Sequence, residues 1–144
     1  MLRGNSETKI DEKGRLKIPA SFKKVIDEEF HESRFYVTSM DGKAARIYPM
    51  TVWTDIEEKL KSSFDPATAE LKFKVNYYGG ETDMDSQGRV LLPQVLRETA
   101  GIAGEVAVMG MTTYLEVCTS GDAKQRAQRE FTPDDWKRFQ ELGI

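Results

Sequence analysis

Apolar and polar residues alternate along this chain in short runs, and helical spacing fills the stretches between them. Thr8-Lys9-Ile10 extends into a tight turn, and Arg15-Leu16-Lys17-Ile18 leaves it with polar residues outward and apolar residues inward, the period of a half-buried strand. Pro19 ends that strand and opens a helix to about Ile26, with Phe22, Val25 and Ile26 apolar. A second hairpin follows: Phe35 to Ser39, a turn at Asp41-Gly42, and a return through Ala45-Arg46-Ile47-Tyr48.

The same order recurs further on. Asp11-Glu12-Lys13-Gly14-Arg15-Leu16-Lys17-Ile18-Pro19 reappears, 74 residues later, as Asp85-Ser86-Gln87-Gly88-Arg89-Val90-Leu91-Leu92-Pro93. Both copies read Asp-x-x-Gly-Arg-aliphatic-x-aliphatic-Pro, and both lead into a helical signal, the second running from Pro93 to Ala100 with Gly101 as its stop. Glu105 to Met109 and Tyr114 to Val117 supply the second hairpin of the later copy. Asp11 and Asp85 suit Asx-type turns, and Gly14 and Gly88 supply the positive φ that closes each turn.

Each copy holds about 45 residues, too few to bury a good core alone. The expected architecture is therefore α+β: two modules, residues 5–50 and 79–122, pairing into one pseudo-twofold β-rich unit with flanking helices. Residues 51–78 read as a helical linker. Within it, Thr54-x-x-Glu57 suits a capping box opening a helix with Ile56 and Leu60 apolar. Asp65-Pro66 starts another helix, Ala67 to about Tyr77, with Leu71, Phe73 and Val75 apolar; Gly79-Gly80 ends it. Residues 123–144 read as a C-terminal helical segment opened by Thr132-Pro133-Asp134-Asp135. Its Trp136, Phe139 and Leu142 are expected to pack in a core or a subunit interface.

Composition narrows the function. Hydrophobic residues are 39% and charged residues 31% of the 144, the balance of a soluble globular chain. No apolar run approaches the roughly 20 residues of a membrane span, and the polar start lacks the apolar core of a secretory signal. The expected location is the cytoplasm. Cys118 and His31 are the only residues of their kinds, too few soft ligands for a zinc site, and no cofactor or small-molecule substrate is expected. His31 stands among Glu28, Glu29 and Glu32, as a solvated surface histidine would.

Net charge is −3, yet residues 1–24 carry seven basic residues against three acidic, leaving −7 for the rest. A basic end on an acidic body can hold a polyanion, because screening makes the local field matter more than the total. Arg15 and Arg89 open strands directly after tight turns, so each guanidinium projects from a fixed base. A guanidinium can pair with phosphate, or bidentately with guanine O6 and N7. It can equally brace its own turn, Arg15 to Asp11 and Arg89 to Asp85, and the residues alone leave both readings open. Lys9, Lys13 and Lys17 are candidate phosphate contacts, joined by Arg3 if the N-terminus is ordered. Two other classes compete: a protein-interaction module of the antitoxin kind, and an enzyme using Asp11 and Asp85 as paired carboxylates. Nothing in the sequence adds a nucleophile or a metal cluster to that pair.

The doubled Asp-x-x-Gly-Arg hairpin, each time followed by Pro and a helix, resembles the swapped-hairpin SpoVT-AbrB fold. Two copies in one chain, with Met1-Leu2-Arg3-Gly4 at the start, Leu16-Lys17-Ile18-Pro19, Arg46-Ile47-Tyr48-Pro49, Leu96-Arg97 and Ala100-Gly101, resemble the MraZ family. The likeness runs to about residue 117 and departs at Cys118, where the family often carries Trp. It implies a DNA-binding transcriptional regulator of the division and cell-wall gene cluster, its own promoter included. It also implies a nucleoid-associated protein that forms ring-shaped homo-oligomers on repeated boxes of double-stranded DNA.

Overall fold

A computed structural model describes residues 1–144. Eight strands form one antiparallel sheet in the order β5-β3-β4-β8-β7-β1-β2-β6. They are β1 (Asn5–Ile10), β2 (Arg15–Lys17), β3 (Arg34–Thr38), β4 (Ala45–Pro49), β5 (Gly80–Asp83), β6 (Arg89–Leu91), β7 (Gly104–Gly110) and β8 (Leu115–Thr119). The sheet curls into a nearly closed barrel, and its two edges meet where the Leu91 N–H donates to Thr82 Oγ1 at 3.0 Å. Leu16, Ile18, Phe35, Val37, Ile47, Val90, Leu92, Val106, Val108 and Val117, all at inward positions, fill the barrel.

The two repeats interlock rather than sit side by side. β1 of the first pairs with β7 of the second, and β5 of the second pairs with β3 of the first. The exchange centres on β2 and β6, where Leu16 faces Val90, its own counterpart in the repeat. Ile18 N donates to Gly88 O, and Leu92 N to Gly14 O, each at 2.9 Å, so the bonds obey the same twofold. A second self-equivalent pair lies where β4 meets β8: Arg46 opposite Glu116. Glu116 is buried and takes Arg46 Nε at 3.6 Å and the Arg126 guanidinium. Arg46 also donates to Tyr48 Oη at 3.0 Å and lies over the Tyr114 ring.

Six helices flank the barrel: α1 (Ala20–Val25), α2 (Met50–Lys61), α3 (Pro66–Tyr77), α4 (Gln94–Ala100), α5 (Ser120–Ala127) and α6 (Pro133–Glu141). None is long and apolar enough to cross a membrane. Asp65 caps α3 as expected, its Oδ1 accepting from Ala67 N at 2.7 Å. Thr132 and Asp135 form a full capping box on α6.

Several expectations are corrected. Pro19 precedes α1 as its cap, and the helix runs on as a π-helical turn, Ile26–Phe30, which buries Ile26. α2 begins at Met50, because Pro49 ends β4 and turns the chain directly into a helix that buries Met50 and Trp53. Thr54 is therefore inside α2, its hydroxyl donating to Thr51 O rather than capping. In α3 the apolar residues 71, 73 and 75 have a spacing of two, which a helix cannot place on one face. Val75 is buried beside Trp53 and Tyr48, whereas Phe73 is 68% exposed. α5, capped by the Thr119 hydroxyl, is a helix that the apolar pattern does not signal. Of the two places expected for the C-terminal aromatics, the core of the chain is not the one they take: Phe131, just before α6, and Trp136 and Phe139 within it stack edge to face on one another, and Trp136 is 54% exposed.

Because each strand of the first repeat has one of its two ladders on a strand of the second (β1 on β7, β2 on β6, β3 on β5, β4 on β8), residues 1–78 alone lack half of their sheet partners. That fragment is expected to be poorly folded, or to dimerise through Leu16 facing Leu16. Hydrogen exchange and light scattering check this; a monomeric fragment with native-like protection would contradict the interlocked architecture.

Candidate nucleic-acid interface

Both Asp-x-x-Gly-Arg turns are built from the same bonds. Asp11 Oδ1 accepts from Lys13 N at 3.0 Å and from Arg15 N at 2.9 Å. Gly14 N donates to Asp11 O, and Asp11 N to Arg15 O. Asp85 Oδ1 likewise accepts from Gln87 N and Arg89 N, both at 2.9 Å. Gly14 and Gly88 hold φ of +87° and +75°, a region where a side chain would be strained.

Each arginine is tied to its own turn through one nitrogen. Arg15 Nε donates to Asp11 Oδ2 at 2.9 Å and Arg89 Nε to Asp85 Oδ2 at 2.8 Å. The brace read as one alternative therefore exists, and it uses only Nε. The Nη groups of Arg15 make no hydrogen bond, and Arg89 Nη1 stands 3.7 Å from Asp11 Oδ2, joining the two turns. The arginines remain 35% and 25% exposed. A guanidinium pinned at Nε loses rotational freedom while keeping a donor edge for a planar acceptor pair.

The strand register sets what surrounds them. Arg15 lies opposite Leu91, and Lys17 opposite Arg89, all on the outer face because Leu16 and Val90 between them point inward. Lys17 Nζ reaches Gln87 O of the other turn. Lys13 is exposed at the first turn.

Two further cations arrive that the sequence reading did not pick out. Arg97 of α4 packs over Gly14, where any Cβ would collide with its guanidinium, and it donates from Nε to Leu92 O at 3.0 Å. Lys23 of α1 lies beside Gly88, less tightly, with its Cδ at ordinary contact distance from where a Cβ would stand and its Nζ 2.8 Å from Asp27 Oδ2. Lys23 and Arg97 are themselves 74 residues apart, so the repeat offset was the signal that could have found them. That each covers the other repeat's turn follows from the exchange of strands.

The remaining candidates lie elsewhere. Lys9 is exposed on β1 opposite Glu105, outside the β2–β6 face. Arg3 sits beyond the far end of β1, next to the Leu2–Thr112 bridge, about 20 Å of strand from the turn. No group of three His, Cys, Asp or Glu side chains converges as a metal site would require.

The turn bonds also set the charge state. The Arg15 backbone N–H is the main reason the Asp11 carboxyl falls below its ordinary pKa, assisted by the Arg15 guanidinium and the Lys13 N–H. The Arg89 backbone N–H does the same for Asp85. Both stay ionised near neutral pH, with their oxygens occupied by turn donors; a general acid needs the opposite shift.

The known relatives agree with one another. The family model described as "MraZ protein, putative antitoxin-like" matches residues 1–74 and 80–121. Proteins named transcriptional regulator MraZ from Acidobacterium capsulatum and Koribacter versatilis are each 48% identical over the whole length of both chains. One of the same name from Desulforamulus reducens is 37% identical over 81% of this chain and 80% of its own.

The depressed carboxyl values define an acid dependence. Their stabilisation is fully present above the unfolded aspartate value of about 3.9 and is lost as pH falls through the folded values. Thermal unfolding from pH 6 to pH 3 should show this loss. Asp11→Asn should lower the melting temperature at pH 6 and shrink the difference between pH 6 and pH 3; an unchanged acid slope would show that the turn carboxylate does not set it.

Proposed function

Since this chain belongs to the MraZ family, we propose that it is a transcriptional regulator that binds double-stranded DNA through the outer face of β2 and β6. The observation that carries the reading is the pair of identical turns, brought together across the pseudo-twofold. Each presents an arginine anchored at Nε, with other cations around it. In this reading Arg15 and Arg89 contact base edges or phosphates in the major groove, which admits a two-stranded β-ribbon. Lys13 and Lys17 contact phosphate, and Lys23 and Arg97 extend the same patch. Lys9 serves as an outlying phosphate contact. Arg3 would meet DNA only where the duplex continues past the far end of β1. Asp11, Gly14, Asp85 and Gly88 form the turns and do not touch DNA.

Residues 5–50 and 79–122 are the two modules of this unit, with 51–78 as the linker and 123–144 as the C-terminal segment. The first module carries more of the electrostatic binding, because Gln87 and Leu91 stand where it has Lys13 and Lys17. With a net charge of −3, one chain offers few phosphate contacts. Useful affinity requires a homo-oligomer, a ring by family resemblance, engaging repeated promoter boxes so that linkage raises effective concentration. By the same resemblance the targets are the division and cell-wall genes and the protein's own promoter, and the protein works at the nucleoid.

Electrophoretic shift titrations on DNA from upstream of its own gene, with a scrambled control at two salt concentrations, test this. Arg15→Ala should weaken specific binding strongly, by about 1–3 kcal/mol for each bidentate base pairing removed, while the circular dichroism melt stays cooperative. Arg89→Ala should have a smaller effect. Lys13→Ala should weaken all sequences alike and flatten the salt dependence by about one ion per engaged site. Wild-type binding by a folded Arg15→Ala would place the DNA surface elsewhere.

Assembly has its own check. Light scattering at micromolar concentration should report several times the 16.4 kDa chain mass. A monomer mass with and without DNA would remove the oligomer from the reading.

A further inference from the structure

The outer face of β2 and β6 is a two-by-two array of side chains, Arg15 beside Leu91 and Lys17 beside Arg89. The twofold that exchanges the repeats maps Arg15 onto Arg89 and Lys17 onto Leu91. Three corners are cationic, and the fourth is a leucine that is 47% exposed. A single exposed leucine on a protein surface needs no explanation. This one lies in the middle of a basic face, directly across from the first turn arginine. Its backbone is fixed by the bond from its N–H to Thr82 Oγ1. Four residues on, the change repeats: Val95, 40% exposed, stands where the first repeat has Ser21. The backbone is thus nearly symmetric about the axis, while the side chains it presents are not.

We propose that Leu91 is a specificity-determining residue that packs against the 5-methyl group of a thymine, and that this contact gives each chain a preferred orientation on its DNA box. The inference rests on the DNA reading above and deepens it. The thymine methyl is the apolar group that the base pairs present in the major groove, and aliphatic side chains are its natural partners. Directly paired residues on adjacent strands are about 5 Å apart, and successive base pairs about 3.4 Å. Leu91 therefore reaches a base one or two steps from the one gripped by Arg15. Turning the chain half a revolution about its pseudo-axis would set the Lys17 ammonium against that methyl and leave Leu91 against a polar edge. The two orientations differ in free energy through this side chain even though the strands superimpose.

The test uses the full-length protein and a duplex it selects from a random pool. Each thymine of that duplex is replaced singly by deoxyuridine, which removes the methyl and no hydrogen-bonding group. Wild type, Leu91→Ala, Leu91→Gln and Arg15→Ala are then titrated. In wild type, one thymine per bound box should lose affinity severalfold on demethylation. The loss should stay below the roughly tenfold that a methylene brings in an enclosed pocket, because the groove contact is half open. Leu91→Ala and Leu91→Gln should weaken the unmodified duplex by a similar factor and be indifferent to that demethylation. A deoxyuridine profile in Leu91→Ala identical to that of wild type overturns the proposal. If the same variant also shows a reduced mass in light scattering, Leu91 belongs to a subunit contact instead. Arg15→Ala separates the two levels: if it binds like wild type, the DNA reading itself has failed. If it weakens binding while the Leu91 variants keep the wild-type profile, only the thymine contact has failed.

Discussion

The pairing of β2 with β6, centred on Leu16 against Val90, is the contact on which the rest of the molecule depends. Each strand has three residues, too short to be stable as an isolated hairpin. Each repeat is too small to close a core. Laid across one another, the two strands bury both aliphatic side chains completely and let β1 and β5 continue onto the opposite repeat. Burial of a leucine and a valine is worth about 1.5–3 kcal/mol each. The larger consequence is geometric: with that register in place, the ladder on either side can pair in only one way, since a slip of one residue would turn the barrel interior outward.

The second crossing of the axis works through charge. Positions 46 and 116 are equivalent in the repeats and face one another, so two identical modules would set like charges together there. In this chain they have become Arg46 and Glu116. Glu116 is buried, and Arg46 and Arg126 supply its counter-charge. Loss of the two arginines would leave the Glu116 charge uncompensated in a place water barely reaches, a far larger penalty than loss of a surface pair. Duplication within one chain thus permits an asymmetric contact at a symmetric position, and Lys17 and Leu91 show the same divergence on the outer face.

The turns join stability to the proposed function through the same atoms. Asp11 and Asp85 commit their oxygens to backbone N–H groups and to one arginine nitrogen each, which keeps them ionised and holds the guanidinium base in place. A side chain ordered in advance loses less entropy when it meets a ligand. Brace and contact are therefore compatible roles of one arginine. Lys23 and Arg97, packed over the opposite turns, make the patch a joint product of both repeats.

Local bonding was legible in the residues. The Asp-x-x-Gly-Arg turns, the alternation around Leu16, the Asp65 and Thr132 caps and the duplication at an offset of 74 all involve partners within a few residues, and the residue types needed for them are written side by side. What lay outside that range was decided by tertiary structure. The start of α2 at Met50 is fixed by where Pro49 ends β4 opposite Phe35 of β3, not by the Thr54 motif that suggested a cap. The π-helical turn after α1 follows from burying Ile26, and Phe73 turns outward because a helix cannot carry residues 71, 73 and 75 on one face. The patch around the turns is the clearest case. The sequence contains its cations at positions 13 to 97, but only the exchange of strands brings Arg97 over Gly14 and Lys23 beside Gly88. A turn closes on hydrogen bonds to its own neighbours, whereas a sheet edge is satisfied by any strand that presents the right register, and that choice belongs to the folded whole.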